Sequence, residues 1–101
     1  MLAHNVYFSL TDNSAEAQEA LIAACQRYLV DHPGIIRFAC GRRGQAFARP
    51  VNDREWDVGL HIVFTDKAAH DSYQDSPEHH QFVAEMKPNW ARARVFDTEL
   101  A

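Results

Sequence analysis

The sequence lacks an excess of basic residues and any long apolar run, and each absence excludes a class of protein. Ten lysine and arginine residues stand against 14 aspartate and glutamate residues, which gives a formal net charge of −4. Nucleic-acid binders rely on positive charge to displace counterions, and this chain has no surplus of it. No apolar stretch approaches the ~20 residues that a membrane-spanning helix needs. We therefore expect no nucleic-acid partner and no membrane partner.

Cysteine is scarce as well. Cys25 and Cys40 show no Cys-x-x-Cys spacing and no paired histidines that would make a zinc cluster, so we expect buried free thiols. The first ten residues alternate like a strand and lack the basic start and continuous apolar core of a signal peptide. These features predict a cytoplasmic protein.

The length of 101 residues allows one hydrophobic core and no second domain, so we predict one domain over residues 1–101. Apolar periodicity and the positions of proline and glycine predict the order β-α-β-β-α-β. The predicted strands are Leu2–Leu10, Ile35–Cys40, Trp56–Phe64 and Ala91–Asp97. The first helix carries apolar residues from Ala17 to Leu29, and Pro77 splits the second helical region into Lys67–Asp75 and Glu78–Met86. Asn13 and Glu16 predict a capping box before the first helix, and Gly44–Arg54 is a long exposed connection.

Two β-α-β halves in one small domain are typical of a ferredoxin-like α+β fold, with a four-stranded antiparallel sheet and helices on one face only. The other face, which carries Tyr7 and Val63, is predicted to be too apolar to remain in water. Two such sheets packed across a two-fold axis would cover it and close a homodimeric α/β barrel. His61 lies on this face, either as a neutral histidine satisfied by Asn5, Tyr7 or Arg94, or as a proton acceptor between subunits.

The most informative stretch is the third strand together with the helix corner that follows it. Alternation along this strand places five apolar side chains on one face: Trp56, Val58, Leu60, Ile62 and Phe64. Tyr73 comes shortly before Pro77, which favours a helix boundary, and His79 lies in the first turn after it. Two protic side chains are therefore expected to meet at a helix corner above an apolar sheet face.

This corner resembles the stress-responsive dimeric α/β barrel domain family, or Dabb. The similar segments are the strand ending in Phe64, Ala68 and Tyr73 on a helix, Pro77, His79, Phe82-Val83, and also Met1–Phe8, Pro33-Gly34-Ile35, Cys40-Gly41-Arg42 and Val95-Phe96-Asp97. The resemblance covers essentially the whole chain, and it implies the same fold and the same homodimer.

Some members of this family, olivetolic acid cyclase among them, close a linear polyketide by an aldol-type reaction without a metal or an organic cofactor. The resemblance implies that His79 is the general base, that Tyr73 holds it or polarises a carbonyl, and that His4 borders the pocket. A histidine with a pKa near neutrality can abstract a proton between two carbonyls, and a tyrosine can donate to the enolate oxygen. This chain has Ser76 and Val58 where the cyclase has histidines.

Three function classes remain open. The first is a dimeric protein with no established reaction that binds a small apolar or aromatic ligand between helices and sheet. The second is a cofactor-independent enzyme, either polyketide-cyclase-like or, by analogy with other dimeric α/β barrels, monooxygenase-like; it needs a cavity of about 300 Å³ or more. The third is a structural oligomer in which the Tyr73 hydroxyl bonds His79. The predicted pocket residues are His4, Val6, Phe8, Tyr28, Leu60 and Phe82.

No metal site is predicted. Asp66 and His70, four residues apart on the second helical region, can share one face, but such a pair is more often a surface hydrogen bond. We expect any activity to be independent of metal and to depend on His79 more than on His80, His70 or His61, because only His79 lies beside a second protic group over the sheet.

Overall fold

The computed structural model describes residues 1–101 as a ferredoxin-like α+β domain. Its elements in chain order are β1 (Leu2–Leu10), α1 (Ala15–Tyr28), β2 (Ile35–Arg42), β3 (Val58–Phe64), α2 (Lys67–Gln74), α3 (Pro77–Met86), a short 3₁₀ turn (Lys87–Asn89) and β4 (Trp90–Glu99). The strands form one antiparallel sheet in the order β2-β3-β1-β4. The predicted fold class is confirmed. None of the helices is long and apolar enough to span a membrane.

The core forms between the helices and one face of the sheet. β1 lies between β3 and β4, and its even-numbered side chains are buried while its odd-numbered ones are only partly buried. This follows from the alternation of side chains along a pleated strand. His4 is the single polar residue among the buried set. Both cysteines are free, as predicted, although Cys40 is only partly buried.

The start of α1 differs from the predicted capping box. Ser14 is the N-cap, and its hydroxyl accepts a hydrogen bond from the Ala17 amide at 3.2 Å. The Asp12 carboxylate accepts from the Ser14 amide at 3.0 Å, which turns the chain so that Ser14 precedes the first helical turn. Because the residue three positions after Ser14 is alanine, no reciprocal bond from Glu16 forms and the capping-box prediction is wrong.

β3 begins at Val58, and Trp56 lies outside the strand. The Trp56 indole N–H donates to the Asp53 carbonyl at 2.9 Å, and its ring packs against Tyr7 with centroids 4.8 Å apart. Tyr7 belongs to the sheet face away from the helices, so the predicted position of Trp56 on the helix-facing side is wrong. The physical reason is that the ladder with β1 starts at the Phe8 and Val58 pair, which leaves Trp56 free of the strand alternation.

The sheet face away from the helices mixes aromatic and polar groups, so it is less apolar than predicted. Phe96 is 51% exposed there. His61 Nδ1 lies 2.8 Å from Asn5 Oδ1, which confirms one of the predicted partners of His61, and burial lowers the pKa of His61. Arg94 pairs with Asp53 at 2.6 Å, while its Nε is buried and has no acceptor.

Candidate functional site

A cavity of about 370 Å³ lies between α2, α3 and the β1–β4 side of the sheet. Its mouth is at the β4 edge, where Val95 faces the cavity and is 53% exposed. Nine of its 14 lining residues are hydrophobic. The apolar wall includes Val6, Phe8, Leu60, Phe82, Val83 and Trp90. Tyr73 is one of the nine hydrophobic residues but also carries a hydroxyl, and the other five residues are polar: His4, His70, Gln74, His79 and Asp97.

The predicted site residues reach this cavity with one exception. Tyr73 and His79 both line it, as do five of the six predicted pocket residues: His4, Val6, Phe8, Leu60 and Phe82. Tyr28 does not. Its hydroxyl donates to Glu85 Oε1 at 2.8 Å, which ties α1 to α3. Because α1 packs over β2 and β3 rather than over β4, its last turn lies away from the cavity, and the assignment of Tyr28 to the pocket is corrected.

The helix corner is held by Ser76. Its hydroxyl donates to the Tyr73 carbonyl at 2.7 Å and accepts from the His79 amide at 3.1 Å. Ser76 is thus the N-cap of α3, with Pro77 at the first helical position, where a missing N–H costs nothing. This arrangement links the end of α2 to the start of α3 and brings the Tyr73 and His79 rings into an edge contact with centroids 5.0 Å apart.

Tyr73 is 1% exposed, and its ring packs against Phe64 and His32 with centroids 5.1 and 5.3 Å away. Its contact with His79 is between rings, so the expected hydroxyl bond to His79 is absent. Burial, together with the nearby Cys25 thiol, raises the pKa of Tyr73. The hydroxyl therefore stays protonated and remains available as a donor toward the cavity.

His79 is half-buried. Burial is the main reason why the pKa of His79 is lowered to about 4. Charge repulsion lowers it further and comes from four nearby histidines: His80, His4, His32 and His70. Its imidazole is therefore neutral near pH 7 and is a weaker base than the histidine of near-neutral pKa that the sequence-based mechanism assumed. It can still donate one hydrogen bond and accept another.

His4 meets Asp97 across the sheet. The two residues are paired in the β1–β4 ladder, and His4 Nδ1 lies 2.5 Å from Asp97 Oδ1. Burial lowers the pKa of His4, although the Asp97 carboxylate acts in the opposite direction. An ionised carboxylate only accepts hydrogen bonds, so the Nδ1–H of a neutral His4 donates to Asp97.

His70 belongs to the same polar end of the cavity. Its ring centroid lies 4.8 Å from that of His4. Asp66, the residue considered as its partner from the sequence, instead caps α2 by accepting from the Ala69 amide at 2.9 Å. His70, Gln74 and Asp97 are the polar lining residues that are missing from the predicted pocket. Because His70 lies beside His4 at the cavity, the expectation that only His79 has a protic neighbour over the sheet is wrong. A signal existed for His70, which is three residues before Tyr73 on one helix face, and for Asp97, which alternates with Val95 on β4.

The chain matches other proteins over nearly its full length. A crystal structure of a Dabb family protein from Mesorhizobium loti has a TM-score of 0.81 and 24% identity, over 99% of this chain and 96% of that one. A dimeric ferredoxin-like protein of unknown function from Thermobifida fusca has a TM-score of 0.80 and 19% identity, over 98% and 90%. The hydroxynitrile lyase of Passiflora edulis has a TM-score of 0.77 and 19% identity, over 99% and 93%.

Sequence identities of 19–24% with these three structures show a shared fold and no more. No protein of curated function matches the sequence. The family model described as the stress responsive A/B barrel domain matches residues 2–100. Because that match takes in all four strands and all three helices, the chain belongs to the stress responsive A/B barrel domain family.

Proposed function

We propose that this protein binds a small, largely apolar ligand with at least one oxygen acceptor in the cavity between α2, α3 and β4. The cavity itself is the observation that carries the proposal. Its volume of about 370 Å³ lies at the lower end of the usual range for ligand pockets, about 300–1,000 Å³. Its mainly hydrophobic wall distinguishes it from the surface hollow lined by Asn52, Asp53, Arg54 and Glu55, which has no hydrophobic lining residue.

The donors around the cavity support an oxygen acceptor on the ligand. The Tyr73 hydroxyl is protonated and is not bonded to His79. The buried indole N–H of Trp90, another lining residue, has no acceptor in the protein. A carbonyl or hydroxyl oxygen would satisfy such donors, because buried donors are rarely left unpaired. The rings of Phe8 and Phe82, with centroids 4.8 and 5.8 Å from Trp90, favour an aromatic ligand body.

The same proposal includes a homodimer formed through the uncovered sheet face. Phe96 is half exposed on that face, and the Arg94 Nε buried there has no acceptor within one chain. A second sheet packed on this face would cover Phe96 and can supply an acceptor for Arg94 Nε. The Thermobifida fusca neighbour is described as dimeric, which agrees with this arrangement.

Ligand binding can be tested with acetophenone, which carries a carbonyl, and with ethylbenzene, which does not. We expect acetophenone to shift the NMR signals of Val6 and Phe82, and ethylbenzene to shift them less. Ala93→Phe should abolish the shifts because Ala93 lines the cavity. Ala91→Phe is the matched control, since Ala91 is exposed on the same strand outside the lining. Equal binding to both variants, or no binding to the wild type, would contradict the proposal.

A second candidate function is a cofactor-independent enzyme in which His79 and Tyr73 form an acid/base pair. The observation that favours it is that both residues line a cavity above the 300 Å³ that such an enzyme needs. His79 would take a proton from the substrate, and Tyr73 would donate to the oxygen that gains charge. The Passiflora edulis neighbour, a hydroxynitrile lyase, shows that this fold hosts an enzyme.

The enzyme can be tested by assaying mandelonitrile cleavage and poly-β-ketone cyclisation. Wild-type activity should be lost in His79→Ala and kept in His80→Ala, whose side chain is solvent-exposed. Tyr73→Phe should lower kcat because the donor to the developing oxyanion is lost. Full activity without His79 would rule out this pair as the acid/base groups.

A further inference from the structure

We infer that His4, His70 and Asp97 form a binding site for a divalent transition-metal ion at the polar end of the cavity. The three residues come from β1, α2 and β4, and each offers one ligand atom within 4.8 Å of the other two. Two imidazoles and one carboxylate suit zinc and other first-row divalent ions rather than calcium or magnesium, which prefer oxygen ligands.

Small side-chain adjustments suffice for coordination. Nitrogen and oxygen ligands lie about 2.0–2.2 Å from zinc, and hence about 3–3.5 Å from one another in a tetrahedral site. His4 Nδ1 and Asp97 Oδ1 are 2.5 Å apart, joined by a hydrogen bond. The ion would replace the proton between them, which is released on binding. The pair would then open by less than about 1 Å, while His70 closes on the ion from α2.

The surroundings prepare the two histidines as ligands. His4 is 4% exposed and therefore held in position on the central part of the sheet. His70 Nδ1 lies 3.0 Å from Asp71 Oδ1, which leaves its Nε2 free. Asp71 is itself paired with Lys67 at 2.6 Å. A carboxylate on the second nitrogen is the usual support of a metal-binding histidine, because it fixes the ring orientation and the tautomer.

The site has a route for entry and room for a further ligand. The side chain of Asp97 is 44% exposed and that of His70 is 16% exposed, so an ion can reach them from solvent. All three residues line the cavity, so the remaining coordination positions face it. Three protein ligands with an open position are the arrangement of reactive rather than purely structural zinc. This replaces the sequence-based expectation of no metal, and it does not depend on whether the cavity binds an organic ligand.

The test uses untagged, metal-free protein titrated with cobalt(II) at neutral pH, followed by absorption in the visible range. We expect one cobalt ion per chain, with the intense bands of a four- or five-coordinate site, and displacement of cobalt by zinc. His70→Ala and Asp97→Asn should each weaken binding by at least about tenfold. Zinc should also raise the thermal unfolding midpoint of the wild type but not of these variants.

His80→Ala is the matched control. His80 also lies near a carboxylate, with its Nε2 3.8 Å from Asp75 Oδ1, but it is exposed and outside the cluster. The His80→Ala variant should bind cobalt with the same affinity as the wild type. An absence of binding by the wild type, or equal affinity in His70→Ala and the wild type, would overturn the site. If Asp97→Asn fails to fold by circular dichroism, His70→Ala decides the question alone, because that side chain lies on a surface helix.

Discussion

Removing the Tyr73 hydroxyl should leave stability almost unchanged, whereas removing the Tyr28 hydroxyl should be costly. Both residues are buried, at 1% and 7% exposure. Tyr28 donates to Glu85 at 2.8 Å, so Tyr28→Phe loses a hydrogen bond and should lower the free energy of unfolding more than Tyr73→Phe does. Tyr73 makes no such bond to His79. In Tyr73→Phe the ring keeps its packing against Phe64, and the free energy of unfolding should change by less than about 0.5 kcal/mol.

The assay is urea unfolding of the wild type, Tyr73→Phe and Tyr28→Phe, followed by circular dichroism. All three should be measured at one protein concentration, because dissociation of a dimer would contribute to the transition. A shift of the midpoint without a change of slope reports stability alone. If Tyr73→Phe loses as much stability as Tyr28→Phe, the Tyr73 hydroxyl is satisfied inside the protein and does not serve the cavity.

Phe96, His79 and Phe82 can be tested in the same way. Phe96→Asp should place a carboxylate on the uncovered sheet face and give a mass of 11.5 kDa in light scattering, where the wild type gives twice that value; a monomeric wild type would contradict the barrel. The pKa of His79 is about 4 in the folded protein, whereas its ordinary value is 6.5. Between these two pH values the unfolded state binds more protons than the folded state. Stability is therefore lost as the pH falls from 6.5 toward 4. The full pKa shift corresponds to a loss of about 3 kcal/mol in the free energy of unfolding. Because His79 is half exposed, solvent screening reduces the expected loss to about 1–2 kcal/mol. His79→Gln should make stability depend less on pH, and an unchanged slope of stability against pH would refute the burial argument. Phe82→Ala should cost about 3–5 kcal/mol in chemical unfolding, because Phe82 is 2% exposed and the variant leaves a void; a loss below 1 kcal/mol would show that the cavity wall collapses freely.

Local patterns were enough to predict the helix corner and much of the cavity wall. The alternation along β1 determined that His4, Val6 and Phe8 share one face, since neighbouring side chains on a strand must point to opposite sides. Pro77 determined the break between α2 and α3, because proline lacks the N–H that a continuous helix requires. Tyr73 and His79 are close in sequence on either side of that break, so their proximity needed no long-range information.

Contacts between distant segments could not be predicted in the same way. Trp56 departs from the alternation because the β1–β3 ladder starts only at Val58, and the chain alone does not show where pairing begins. Tyr28 is periodic with the buried face of α1, but only the position of α1 over β2 and β3 keeps it out of the cavity. The pKa of His79 depends on burial and on four other histidines, three of which come from other elements or from a loop.

The sequence by itself determined the element order, the buried faces of β1 and β3 and the helix corner, because these depend on residues within a few positions of one another. The tertiary structure alone decided that His4, His70 and Asp97 meet. His4 and Asp97 are 93 positions apart, and they are neighbours only because β1 pairs antiparallel with β4 in a specific register. The packing of α2 over this end of the sheet then brings His70 to them. Register and packing are properties of the whole core, so the metal-binding constellation became visible only in the folded chain.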